Sequence, residues 1–180
     1  MKAENVSMHI LRLTATLLAI CALVAAVLSG VNMITHDRIA AIQVEKTQAA
    51  IKEVFPEAQN VQQLPLTGDA GIVQAVYAAD DGYAVQVAPN GFDGPVTMMV
   101  GVLQGKVTGI SVISHTETPG LGAVAAAQNA KGEAFRGQFA GQEGTLAVGD
   151  QIDAISGATI TSNAVVAGVN ATLEYVANMG

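Results

Sequence analysis

Tryptophan is absent, aromatic residues make up only 4% of the chain, and there is a single cysteine. Cys21 alone can close no internal disulfide and build no thiolate cluster, and His9, His36 and His115 lack ligand spacing, which sets metal-centre chemistry aside. Cations are scarce as well. Eight Lys and Arg against 15 Asp and Glu leave a net charge of −7, without the basic footprint that a nucleic-acid partner needs. No G-x-x-x-x-G-K-[ST] or G-x-G-x-x-G run occurs, so no phosphate loop or dinucleotide fold is encoded. The G-x-S-x-G elbow is missing too, and Ser114 and His115, neighbours on an expected strand, point to opposite faces, which argues against a hydrolase. Asp80-Asp81 with Asp93 lacks the spacing of a calcium loop and reads as turn chemistry.

What is present in excess is apolar: 51% hydrophobic residues against 13% charged in 180 residues. Much of that excess sits in residues 13–35, LTATLLAICALVAAVLSGVNMIT, which carry no charge. A helix of that length spans roughly 35 Å, against about 30 Å for a bilayer's hydrocarbon core. Lys2 and Arg12 precede the run and Arg38 follows it, and the acidic remainder lies beyond. The expectation is a single-pass anchor with a cytoplasmic N-terminus and an extracytoplasmic domain. A cleaved signal peptide is the alternative, but its apolar core is usually about 7–15 residues. Cys21, inside the run, reads as a small apolar residue.

Three segments follow from this: 1–36 as tail and transmembrane helix, 37–56 as an amphipathic connecting helix closed by Pro56, and 57–180 as the extracytoplasmic domain. Residues 57–71 are turn-rich. Apolar runs at 72–78, 83–88, 96–103 and 107–114, separated by Asp/Asn/Gly/Pro turns, predict an antiparallel meander with a hairpin at Gln104-Gly105. Met98-Met99 reads as packing. Helices are expected at about 123–139 and 163–178, giving an α+β domain.

The stretch DAISGATITSNAV, residues 153–165, places Ser156, Thr159, Thr161 and Ser162 around Gly157-Ala158 at the mouth of the last helix. Thr161 or Ser162 suits an N-cap, and a helix N-terminus suits a phosphate or carboxylate. A hydroxyl-rich cap on an ordinary helix would use the same residues.

Asp153-Ala154-Ile155-Ser156-Gly157-Ala158-Thr159-Ile160-Thr161 resembles, position for position, the D-x-x-[ST]-G-A-[ST]-x-[ST] signature of flavinylated FMN-binding domains. The segment from His115 to Gly122 contains ETPGLG, which resembles the turn beside the isoalloxazine in the membrane-anchored members. With both motifs in order behind one apolar span, nearly the whole chain is similar to the G subunits of Rnf electron-transport complexes. The C subunits of sodium-pumping NADH:quinone reductases are the next most similar group. The resemblance implies FMN joined covalently to Thr161 through a phosphoester by a dedicated flavin transferase that uses FAD as donor. It further implies an attachment loop shaped by Ile155, Ser156, Gly157, Ala158 and Thr159. Glu117 and Thr118 would make polar contacts to the ring, and Leu121 and Gly122 would pack on it. Asp153 would serve transferase recognition or brace the loop. Partner membrane subunits, a place in the cell (inner) membrane, and electron transfer within a ferredoxin:NAD⁺ oxidoreductase coupled to Na⁺ or H⁺ movement follow from the same resemblance. The rival readings are a C subunit of the quinone-reductase type, an anchor protein without flavin, and a stand-alone reductase.

Overall fold

The computed structural model describes residues 2–68, 70–80 and 82–179, with side chains from residue 8 onward. Met1, Asp69, Asp81 and Gly180 lie outside the described residues, so the turn expected at Asp80-Asp81-Gly82 and the Asp80/Asp81/Asp93 grouping fall partly outside them. The chain divides into two units, residues 1–45 and 46–180.

The first unit is one helix. It belongs to α1 (Lys2–Val54), a single 53-residue helix that continues into the second unit. Within its stretch Met8–Val54 an 18-residue window reaches a mean hydropathy of 2.4 with none of it buried, so by length and composition the helix can cross a membrane. Leu13, Leu17, Leu18, Leu23 and Leu28 are all exposed. Threonine hydroxyls in its apolar part fold back on the helix. Thr14 donates to the Ile10 carbonyl and Thr35 to that of Val31, which satisfies hydroxyls that a hydrocarbon environment would otherwise leave unpaired.

The second unit begins with the last turns of α1. The helix stops at Val54, just ahead of Phe55, which precedes Pro56 and is therefore pushed out of helical geometry. Five strands follow in a meander of order β1-β2-β3-β4-β5: β1 (Val61–Leu64), β2 (Val73–Ala79), β3 (Gly82–Val87), β4 (Thr97–Leu103) and β5 (Lys106–Ser114), each antiparallel to the next. Four match the expected runs within a few residues. β1 corrects the reading of 57–71 as turn-rich alone. It is a short exposed edge strand, VQQL, whose two glutamines break any alternation signal. The β4–β5 hairpin turns at Gln104-Gly105 with φ of +52° and +78°, the conformation that a two-residue turn matched to strand twist needs.

Alternate residues of the sheet feed two separate cores. Val85, Val87, Met98, Val100 and Val102 join the larger one with Phe139, Ile152, Val165 and Val169. Ala84, Met99 and Ile113 face the other way, onto Ala50, Ile51 and Val54 of α1. Met98 and Met99 are both fully buried, one in each core. Small residues let the α1 end come close: a Cβ on Gly101 would lie 2.9 Å from Val54 Cβ, and one on Gly82 2.8 Å from the Phe55 ring.

Two helix expectations are corrected. The run 123–139 is a short 3-10 helix (Gly122–Ala126) and a separate α2 (Ala130–Gly137). Asn129 interrupts it, its side chain capping the N–H groups of Lys131 and Gly132, and Gly132 sits where a Cβ would meet the Ala127 carbonyl at 2.1 Å. The last helix, α3, runs Thr159–Met179 and starts four residues before Asn163, so Thr161 and Ser162 lie inside its first turn rather than at the N-cap. Ser162 uses its hydroxyl differently: it donates to the Ala158 carbonyl and accepts from the Ile155 N–H, tying the preceding loop to the helix.

Candidate functional site

Three segments meet at the N-terminus of α3. Beyond β5 the chain runs through Thr116 and Glu117, turns at Pro119-Gly120 with Gly120 at φ +79°, and enters the 3-10 helix. The β3–β4 connection folds into a tight loop, with Gly91 N–H on the Gly94 carbonyl and Val96 N–H on that of Pro89. The third segment is the loop 153–158, whose Gly157 takes φ +78°, leading into α3.

Glu117 joins all three. Only 5% of it is exposed. One carboxylate oxygen, Oε1, accepts from the N–H groups of Phe92 (2.7 Å) and Asp93 (3.3 Å), and the other, Oε2, accepts from the Thr161 hydroxyl at 2.6 Å. Thr116 donates to the Asp93 carbonyl and fixes the same loop from beside it. Burial on its own would raise the Glu117 carboxyl. The hydrogen bonds from Thr161, Asp93 and Phe92, with His115 alongside, outweigh it and hold the group below its ordinary value. His115 itself keeps its Nδ1 buried without a hydrogen-bond partner. Glycines make room for the carboxylate: a Cβ on Gly91 would lie 2.1 Å from Oε1, and one on Gly122 2.1 Å from Oε2.

Beside this cluster is a cleft of about 330 Å³ whose walls include Glu117, Thr118, Leu121, Gly122, Gly157, Ala158, Thr159 and Thr161, eight of the residues expected from sequence. Two more, Phe92 and Ile160, were not anticipated as site residues. They are 69% and 54% exposed and, with Leu121, place apolar side chains around the cleft. An aromatic inside the Gly91–Gly94 turn of a chain poor in aromatics was the available signal for Phe92. Thr161 is 1% exposed and sits in the opening turn of α3, whose N–H groups have no carbonyl one turn back within the helix and carry the positive end of its dipole.

The remaining expected residues lie elsewhere. Ile155 is buried in the larger core, and Ser156 and Asp153 are exposed outside the cleft wall. The loop at Asp153 is braced by its backbone, since the N–H donates to Gln138 Oε1 at 2.7 Å and the carbonyl accepts from Gln138 Nε2.

Fold and site together define an FMN-binding domain: residues 91–174 match the family model of that description. The chain is 32% identical over 94% of its length, and 96% of the relative's, to the G subunit of an ion-translocating oxidoreductase complex from Methanosarcina acetivorans. It is 31% identical over 94% of its length, and 93% of the relative's, to the G subunit of a Na⁺-translocating ferredoxin:NAD⁺ oxidoreductase complex from Acetobacterium woodii. A proton-translocating counterpart in Clostridium ljungdahlii is 41% identical over 56% of this chain and 58% of its own. The chain belongs to the family of G subunits of these ion-translocating, Rnf-type complexes, and its apolar N-terminal helix makes it a membrane protein.

The residues present fit FMN. The cleft offers a hydroxyl, a helix N-terminus suited to a phosphate, small residues at 157 and 158 for close approach, and exposed apolar side chains for a flat ring.

Proposed function

We propose that this chain is an electron-carrying subunit of a membrane-bound Rnf-type complex, holding FMN through a phosphoester on Thr161. The observation that carries the reading is the placement of Thr161: the residue lines the cleft in the first turn of α3, and its hydroxyl reaches Glu117 of the ETPGLG turn, 44 residues away in sequence. Bound flavin supplies the redox chemistry. The chain's residues hold and insulate it. The α3 N-terminus would receive the phosphate, Phe92, Leu121 and Ile160 would pack on the ring, and Thr118 and Glu117 would offer polar contacts. Asp153, exposed beside a loop already braced by Gln138, is free to serve transferase recognition.

Residues 1–36 form a tail and single span, residues 37–56 connect, and residues 57–180 lie on the extracytoplasmic side, with Lys2 and Arg12 on the cytoplasmic flank. Protease digestion of the domain in right-side-out but not inside-out vesicles checks that orientation. The partners are the other membrane subunits and a flavin transferase. The relatives' names include both Na⁺ and proton translocation, so the coupled ion is Na⁺ or H⁺.

The test is flavin fluorescence after a denaturing gel, for wild type and Thr161→Ala co-expressed with an active flavin transferase. A bright wild-type band and a dark variant are expected. A dark wild-type band removes the redox reading.

A further inference from the structure

On the reading just proposed, Thr161 is the group to be modified, and its hydroxyl is already engaged. It donates to Glu117 Oε2 at 2.6 Å, and both residues are buried. A phosphodiester on Thr161 Oγ1 has no hydrogen left to give. Loading the site therefore abolishes this hydrogen bond, and the hydroxyl proton needs a receiver.

We propose that Glu117 is a catalytic residue in the flavinylation of its own chain, accepting the Thr161 proton through Oε2 as Oγ1 attacks phosphorus. The inference rests on the assignment of Thr161 as the attachment residue. The donor is a flavin dinucleotide. The bond from Oγ1 to the flavin-side phosphorus forms, the bridging P–O bond of the pyrophosphate breaks, and adenosine monophosphate leaves with that electron pair. The proton passes to Glu117 and from there to solvent, and nothing is oxidised or reduced.

The geometry suits the role. An unaided threonine hydroxyl is a weak nucleophile that needs an adjacent base within hydrogen-bond reach, about 2.6–3.2 Å. Glu117 meets that distance, and its other oxygen is held by two backbone N–H groups, so Oε2 stays aimed at Thr161. Gly91 and Gly122, having no side chains, leave the space that the two carboxylate oxygens occupy. Glu117 is the one ionisable side chain among the described residues lining the cleft. Near it stand His115 on its own segment and Asp93 on the β3–β4 loop, while the α3 turn from Thr159 to Ser162 and the 3-10 helix from Gly122 to Ala126 contribute no titratable group. After transfer the carboxylate faces a phosphodiester anion in place of a hydroxyl donor, which raises its pKa.

The test uses the full flavin-free chain in detergent, a purified flavin transferase and excess FAD, with in-gel fluorescence giving the rate. Wild type is compared with E117Q and E117D across pH, each at a temperature where it shows native circular dichroism. The amide of E117Q fills the same space and accepts a hydrogen bond but takes up no proton. A fall of about 10²-fold in kcat with KM for the chain unchanged is expected, with partial recovery in E117D. The wild-type rate should decline only at acid pH, where Glu117 protonates, and E117Q should lack that limb. An E117Q rate within a few-fold of wild type, or a loss confined to KM, would overturn the proposal and assign the base to the transferase. A wild-type chain that takes up no flavin would instead remove the assignment of Thr161 itself.

Discussion

The two motif segments that wall the cleft solve opposite problems. The HTETPGLG segment buries a negative charge and must find hydrogen-bond donors for it. The DAISGATIT segment buries the Thr161 hydroxyl beside a helix end that is short of acceptors. Each supplies what the other lacks, and they meet in the single bond from Thr161 to Glu117. Their glycines differ in the same way. Gly122 gives space at a crowded polar contact, whereas Gly157 gives a backbone conformation, φ +78°, with only the tip of Leu121 near it at 3.1 Å. A residue type shared by both motifs thus does steric work in one and conformational work in the other.

Substitution should separate those two kinds of work. Gly122→Ala would drive a Cβ to 2.1 Å from Glu117 Oε2 and 2.5 Å from Thr161 Oγ1, atoms pinned by hydrogen bonds rather than free to swing. Overpacking plus a disrupted buried carboxylate costs about 3 kcal/mol, read as a fall of roughly 10 °C in Tm of the flavin-free chain. Gly157→Ala meets a flexible leucine tip instead, so the cost is that of a left-handed Ala, about 1 kcal/mol or roughly 3 °C. Equal losses for the two variants would break the contrast. A further sharpening is available: Leu121→Ala should leave the Gly157→Ala loss nearly unchanged if backbone strain, not the 3.1 Å contact, is its source.

How much of this was legible in the sequence follows from the same physics. Strands β2 to β5 were visible because their apolar runs are bounded by turn residues, and the Gln104-Gly105 hairpin because two residues must take positive φ. Strand β1 was not, since an exposed edge strand carries no core-facing pattern. The residues after Gly122 read as one helix because their alanines favour it, yet the Asn129 cap and the crowded backbone at Gly132 divide it. At α3 the N-cap rule misplaced the start, because Ser162 ties the loop from inside the first turn. Both motifs were legible as motifs, and nine of their residues do line one cleft, eight of them anticipated as site residues. The bond between them was not, nor was Phe92, because each exists only once the sheet and α3 bring distant segments together.

The smallest expected effect is electrostatic, and it tests whether the two segments are coupled through charge. With the Thr161 hydroxyl and two backbone N–H groups on its carboxylate, Glu117 is held below its ordinary value, which is also its value when unfolded. Its ionised form therefore stabilises the fold above the unfolded pKa, and that contribution is lost as pH falls through the folded one. Flavinylation removes the Thr161 donor and sets a phosphodiester anion beside the carboxylate, and both changes raise the folded pKa. The flavinylated chain should consequently lose less of its stability on acidification than the flavin-free chain. Melts of the two forms between about pH 7 and pH 3, with E117Q as the reference that lacks this titration, measure the difference. Parallel curves for the flavin-free and flavinylated wild type would mean that the carboxylate does not feel the group on Thr161, and the two segments would then be neighbours in space without being partners in charge.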